Sequence, residues 1–180
     1  MQSTKILLTI ILILLFFLKS QHIYASGSNE INNKQIIKTI IMGSGHPVPR
    51  FLSIKSNDVH MRKGPGTEYP ITWKYIKKGY PLKVVAEFHN WRKVIDYDNE
   101  TGWIRGNLLS GKRFVRIIKA MIKLKKFDNK ESKTVSYAER NVLMELHFCK
   151  NNWCKISTKK IIGWTERENL WGVLEDEKFN

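Results

Sequence analysis

Few side chains in this 180-residue chain could carry out chemistry. Cys149 and Cys154 lie five apart, around Lys150, Asn151, Asn152 and Trp153. A structural zinc site needs four ligands, and only His147 stands near the pair, so no metal is expected there. A catalytic thiol needs a positioned base and a depressed pKa, and neither is evident. In an oxidising compartment so close a pair is read first as a disulfide, and such a protein should contain no free thiol. The histidines are His22, His46, His60, His89 and His147, and none belongs to a Gly-x-Ser-x-Gly, His-Glu-x-x-His or dispersed Cys/His/Asn arrangement. Glu166 and Glu168 fall in a turn and read as solvated. The inventory supports no enzyme and no cofactor. What remains is binding chemistry around the Gly64-Pro65-Gly66 turn: Arg62, Tyr69, Trp73, Tyr75 and Trp91 are residue types that anchor interfaces. The aromatics among them more often fill the core in so small a barrel.

The compartment is inferred from the first residues. Lys5 precedes an apolar run, Ile6 to Leu18, and small residues follow at Ala25, Ser26 and Gly27. This is the order of a secretory signal peptide, expected over residues 1–25. Thirteen apolar residues fall short of the roughly 20 needed to cross about 30 Å of hydrocarbon, so the membrane is expected to be met only through that transient leader. No Cys stands at the cleavage position, which argues against a lipid anchor. An exported protein, periplasmic or secreted, is the expectation. Lys and Arg number 31 against 16 Asp and Glu, and removing Lys5 and Lys19 with the leader leaves a net charge of +13. Such a field attracts polyanions, which outside the cytoplasm means lipopolysaccharide, anionic head groups or wall polymers; nucleic acid is not expected. Oligomeric state is not legible.

The elements that must position these residues are short strands. Residues 26–48 read as a linker. After it Phe51, Ile54, Val59 and Met61 alternate with polar residues until Gly64, Pro65 and Gly66 force a turn. Further stretches at 71–76, 82–88, 91–97 and 101–104 are joined by Lys78-Gly79, His89-Asn90 and Asp98-Asn99. Five short strands with tight turns describe a small barrel or sandwich.

The rest of the chain repeats the unit. Asn90-Trp91-Arg92-Lys93-Val94 aligns with Asn152-Trp153-Cys154-Lys155-Ile156, and Gly102-Trp103-Ile104 with Gly163-Trp164-Thr165. The tryptophans are 12 apart in one copy and 11 in the other. Leu82 to Ala86 aligns with Val142 to Leu146. Trp103 and Trp164 are expected in the core, where each could bury about 150–250 Å2. A Cys149–Cys154 bridge would staple one hairpin across Asn151-Asn152 and fix its register, with little entropic gain from so short a loop.

The first copy resembles the bacterial SH3 domain. The residues that carry the likeness are Asp58-Val59-His60-Met61-Arg62-Lys63-Gly64-Pro65-Gly66 with Tyr69-Pro70, then Asn90-Trp91, then Gly102-Trp103-Ile104 with Leu108. Residues 47–174 as a whole are similar to a proteobacterial group of exported proteins with two such copies. The second copy departs where Lys125, Lys126, Phe127 and Asp128 replace the Gly-Pro-Gly turn. The resemblance implies an all-β fold of two tandem SH3-like barrels after the leader and linker: barrel 1 over 49–112, a diverged barrel 2 over 113–174, and a tail over 175–180. It implies a non-catalytic binding module for an envelope component such as peptidoglycan or an anionic polymer. A protein–protein scaffold in the periplasm or outside the cell, or an accessory domain of a wall-hydrolase system, is the alternative. No shared set of ligand residues carries over.

Overall fold

Period-two alternation accounts for most of the strands in the computed structural model, which describes residues 43–177 and Phe179. The expected leader, and the linker as far as residue 42, lie outside the described residues. In the first barrel the strands are β1 Arg50–Ile54, β2 Val59–Arg62, β3 Ile71–Tyr75, β4 Pro81–Phe88, β5 Trp91–Ile95, β6 Thr101–Arg105 and β7 Leu109–Ser110. In the second they are β8 Phe114–Ile117, β9 Met121–Lys125, β10 Thr134–Glu139, β11 Leu143–Lys150, β12 Trp153–Ser157, β13 Ile162–Glu166 and β14 Leu170–Trp171. Each barrel thus has seven strands where the alternation suggested five. The stretch from Phe51 to Met61 is broken near Asp58, whose φ of 65° ends the extended backbone.

The sheet orders are β3-β2-β6-β5-β4-β1-β7 and β10-β9-β13-β12-β11-β8-β14, the same permutation twice. The duplication reaches individual bonds. Lys63 N donates to Pro70 O at 3.0 Å in one copy, and Lys126 N to Lys133 O at 2.9 Å in the other. The second copy therefore closes the same hairpin without Gly-Pro-Gly. Both barrels also carry bulges at the same two places, with Val85 skipped in β4 and His147 in β11, and Thr72 skipped in β3 and Val135 in β10. Val84 pairs with Val94, and Leu146 with Ile156, so Leu82 corresponds to Met144 and not to Val142. The sequence alignment was two residues out there. A slip of two preserves the face on which each side chain lies, so apolar alternation alone does not detect it.

Each barrel encloses its own core. Ile54, Val59, Met61, Leu82, Val84 and Ile104 are among those filling the first; Ile117, Ile122, Leu124, Met144, Leu146 and Ile156 are among those filling the second. The second core also holds Cys149 and Cys154, opposed across the β11–β12 hairpin and joined as a disulfide. Trp103 and Trp164 are not core residues. Ile104 and Thr165 point inward, so Gly102 and Gly163 do too, and the tryptophans between them face out, half-buried. The inward glycines leave room for a neighbouring strand. A Cβ on Gly102 would sit 2.6 Å from Met61 Cγ and 2.7 Å from the Arg62 carbonyl oxygen; one on Gly163 would sit 2.9 Å from Leu124 Cβ and 3.2 Å from the Lys125 oxygen.

The two ends of the described chain are tied down by half-buried carboxylates. Glu87 on β4 accepts from Arg50 and from the Ser44 backbone and hydroxyl, and Arg92 Nε lies 2.9 Å away. Burial alone would raise its carboxyl, but these donors hold it below the ordinary value. Glu177 pairs in the same way with Arg113.

The close approach at the inward glycines is measurable. Gly102→Ala should lower stability by about 1–3 kcal/mol, since backbone stands in the way, and Gly163→Ala by less. Urea denaturation midpoints test this, and equal or negligible losses would show that the strands do not pack as described.

Candidate functional site

A deep concave feature lies where the barrels meet. β3, the segment after it, and the β5–β6 turn form one wall, and β8 with the start of β11 forms the other, around a cleft of about 450 Å3. Its apolar surfaces come from Trp73, Tyr75, Ile76, Tyr80 and Leu143. Lys74, Lys77, Asp96, Asp98, Arg116 and Asn141 supply the polar ones. A volume of this size that brings aromatic and charged groups together has the character of a small-ligand site.

The floor is built around one buried carboxylate. Asp96, 2% exposed, ends β5 and organises the turn that follows. Its Oδ1 accepts from the backbone N–H groups of Asp98 at 3.0 Å and Glu100 at 2.9 Å, and its Oδ2 from the Tyr75 hydroxyl at 3.0 Å. Burial and the adjacent Asp96 charge push the Tyr75 phenol well above its ordinary value, so it is a fixed neutral donor. Tyr80 is also raised, chiefly by burial, although Arg116 opposes the shift. The far wall is held by Arg116 of β8. Its Nη1 donates to the Tyr80 hydroxyl at 2.8 Å and reaches Asp98 at 3.2 Å, and its Nε and Nη2 both donate to Asn141 Oδ1.

The residues singled out in the sequence are not gathered in one place. Trp73, 47% exposed on β3, and Tyr75, 5% exposed, share the cleft, the second through its edge. Arg62 turns to its own loop, donating to the carbonyls of Thr67 at 2.9 Å and Tyr69 at 2.7 Å. Lys125 does the same in the second barrel, donating to Ser132 O at 2.9 Å. The cation at this position is therefore a clamp on a turn. Tyr69 is 40% exposed on that turn. Trp91 is 9% exposed, outside the inner core and beneath Arg105, whose guanidinium carbon is 6.0 Å from the ring centroid. Sequence reasoning missed Tyr80, Asp96, Asp98 and Arg116. The one signal it offered was two aspartates in the β5–β6 turn, a spacing suited to capping backbone N–H groups.

The profile of the bacterial SH3 domain matches residues 55–111 and 129–172. The chain belongs to the bacterial SH3 domain family. The second match begins only after the Lys125–Asp128 segment, where this SH3 copy has lost the glycines and proline of the first. NlpC1 from Trichomonas vaginalis, a solved structure, is similar over 72% of this chain and 48% of its own, at 13% identity and a TM-score of 0.32. The chain thus spans about half the length of that protein. No curated protein matches it. The bacterial SH3 fold is one of binding modules, and the duplicated arrangement here offers a cleft that neither copy forms alone.

Asp96 and Trp73 should separate structure from binding. Asp96→Ala leaves three donors without an acceptor and should cost about 2–4 kcal/mol, while Trp73→Ala should change stability by less than about 0.5 kcal/mol. Thermal and urea unfolding distinguish them, and a large loss at Trp73 would make it a packing residue.

Proposed function

We propose that the chain is an exported, non-catalytic module of the cell envelope that binds a short peptide of the kind that branches from and cross-links peptidoglycan. The observation that carries this reading is the position of the cleft at the end of an open strand edge. Among the described residues β3 pairs only with β2, and four of its five residues are exposed. An extended peptide can add to such an edge, with main-chain hydrogen bonds giving affinity and pockets giving specificity. Running along β3 it would reach Trp73, Ile76 and Tyr80 with its aliphatic parts. Lys74 and Lys77 would meet its carboxylates and Asp98 an amine, a mixture that wall peptides carry. The net charge of +13 expected after loss of the leader favours approach to an anionic wall.

Purified residues 26–180 should sediment with peptidoglycan sacculi at about 0.15 M salt and still do so at about 0.5 M, where exposed charges are strongly screened. Soluble stem tetrapeptide should compete, and Trp73→Ala should weaken binding about tenfold. Binding absent at both salts, lost with salt, or displaced by glycan chains and not by the peptide would refute the reading and favour a protein partner or nonspecific charge.

A further inference from the structure

A second cleft, of about 340 Å3, opens in the second barrel between β9, the end of β13 and Trp153 at the start of β12. Internal duplication makes its divergence legible. Trp91 pairs in register with Arg105, and Trp153 with Glu166, so the two tryptophans occupy equivalent places. In the first barrel Arg105 lies over the indole and the ring is buried. In the second, Glu166 turns aside to Lys130, 3.5 Å away, and the Trp153 indole is half-buried and lines the cleft. By the same registers Lys123, Lys125 and Lys130 replace His60, Arg62 and Thr67. Three lysines thus surround the opened indole, against one acid, Glu166. Lys123 is exposed and forms no ion pair among the described residues, and Lys125 commits one N–H to Ser132 O. Over residues 113–172 there are fourteen Lys and Arg and six Asp and Glu.

The strands beneath this cleft part from one another: β9 and β13 pair only at Lys125 and Trp164. β12 is laddered on both sides, to β11 and to β13, and β9 along its length to β10. The side chains at the cleft offer an indole face, ammonium groups and the Asn169 carboxamide. The Asn169 Nδ2 donates to Thr165 Oγ1 at 3.0 Å, which leaves its oxygen to accept. A sugar ring can lay its C–H face on the indole, donate a hydroxyl to the carboxamide oxygen and place a negative group between Lys123 and Lys130. We propose that this cleft binds an anionic sugar, one bearing a carboxylate or a phosphate.

The test is an NMR titration of 15N-labelled residues 26–180 with glucuronic acid, glucose 6-phosphate, glucose, inorganic phosphate and tetraglutamate. The Trp153 indole N–H should shift with one or both anionic sugars, and glucose should bind at least about tenfold more weakly, the worth of one charge-assisted contact. Which of the two acids binds more tightly identifies the source of the charge. Lys123→Gln, and Lys123→Glu with Lys130→Glu, should each weaken sugar binding while leaving stem-peptide binding at the Trp73 cleft unchanged, so the two sites stand or fall separately. No shift at Trp153, an equal response to glucose, an equal response to phosphate alone, or tightest binding by tetraglutamate would overturn the proposal.

Discussion

The guanidinium of Arg116 is where two small barrels become one object. It leaves β8 of the second barrel, donates to Tyr80 of the first, reaches Asp98, and lies 4.6 Å from the centroid of the Tyr97 ring. Its Nε and Nη2 both donate to Asn141, so its plane is fixed from both sides. Trp171 at the far end of the second barrel continues the junction, with ring centroids 5.1 Å from Phe51 and 5.8 Å from Tyr97. Phe114 N donates across to Ser53 Oγ at 3.1 Å. Residues of both copies therefore stand in fixed relation around the cleft, and the Asp96 turn is braced from beneath by Tyr75 and from the side by Arg116 through Asp98. A planar, permanently charged donor suits this place, because a lysine could not serve the carboxamide, the phenol and the ring at once.

Duplication supplied the same scaffold twice, and the surfaces then diverged. Strand order, hairpin closure and bulges are shared, since each is needed to enclose a core in about 60 residues. What differs lies outside the cores or at single core positions. Tyr75 of the first barrel corresponds to Ala138 in the second, so the Tyr–Asp pair exists once only. Arg105 covers one tryptophan, while Glu166 leaves the other open. The second barrel has a disulfide in its core where the first has none, at a hairpin whose two-residue turn holds Asn151 at a φ of 51°.

The fold was legible because it rests on local patterns: alternation, turn residues and the repeated Asn-Trp and Gly-Trp pairs. The pairing of Cys149 with Cys154 was legible for the same reason, since their spacing puts them opposite each other in a hairpin. Which face a tryptophan takes was not. Gly102 and Trp103 are equally plausible inward residues until the parity set by Ile104 is known, and the glycine is the one that packs. The cleft was less legible still. Arg62, the most prominent cation in the motif, is consumed by its own turn, whereas Arg116 and Asp98 are unremarkable in sequence and acquire meaning only when the second barrel docks beside the first. Trp73 and Tyr75 were found because they lie on a strand beside the motif, and Tyr80, Asn141 and Leu143 were missed because no local pattern links them.

The two barrels hold one fixed relation through Arg116 and Trp171. Residual dipolar couplings from residues 26–180 test it most directly. The account predicts that a single alignment tensor fits both barrels, and that Arg116→Ala combined with Trp171→Ala makes the two tensors diverge while each barrel keeps its own fold. Separate tensors in the unaltered protein would contradict it.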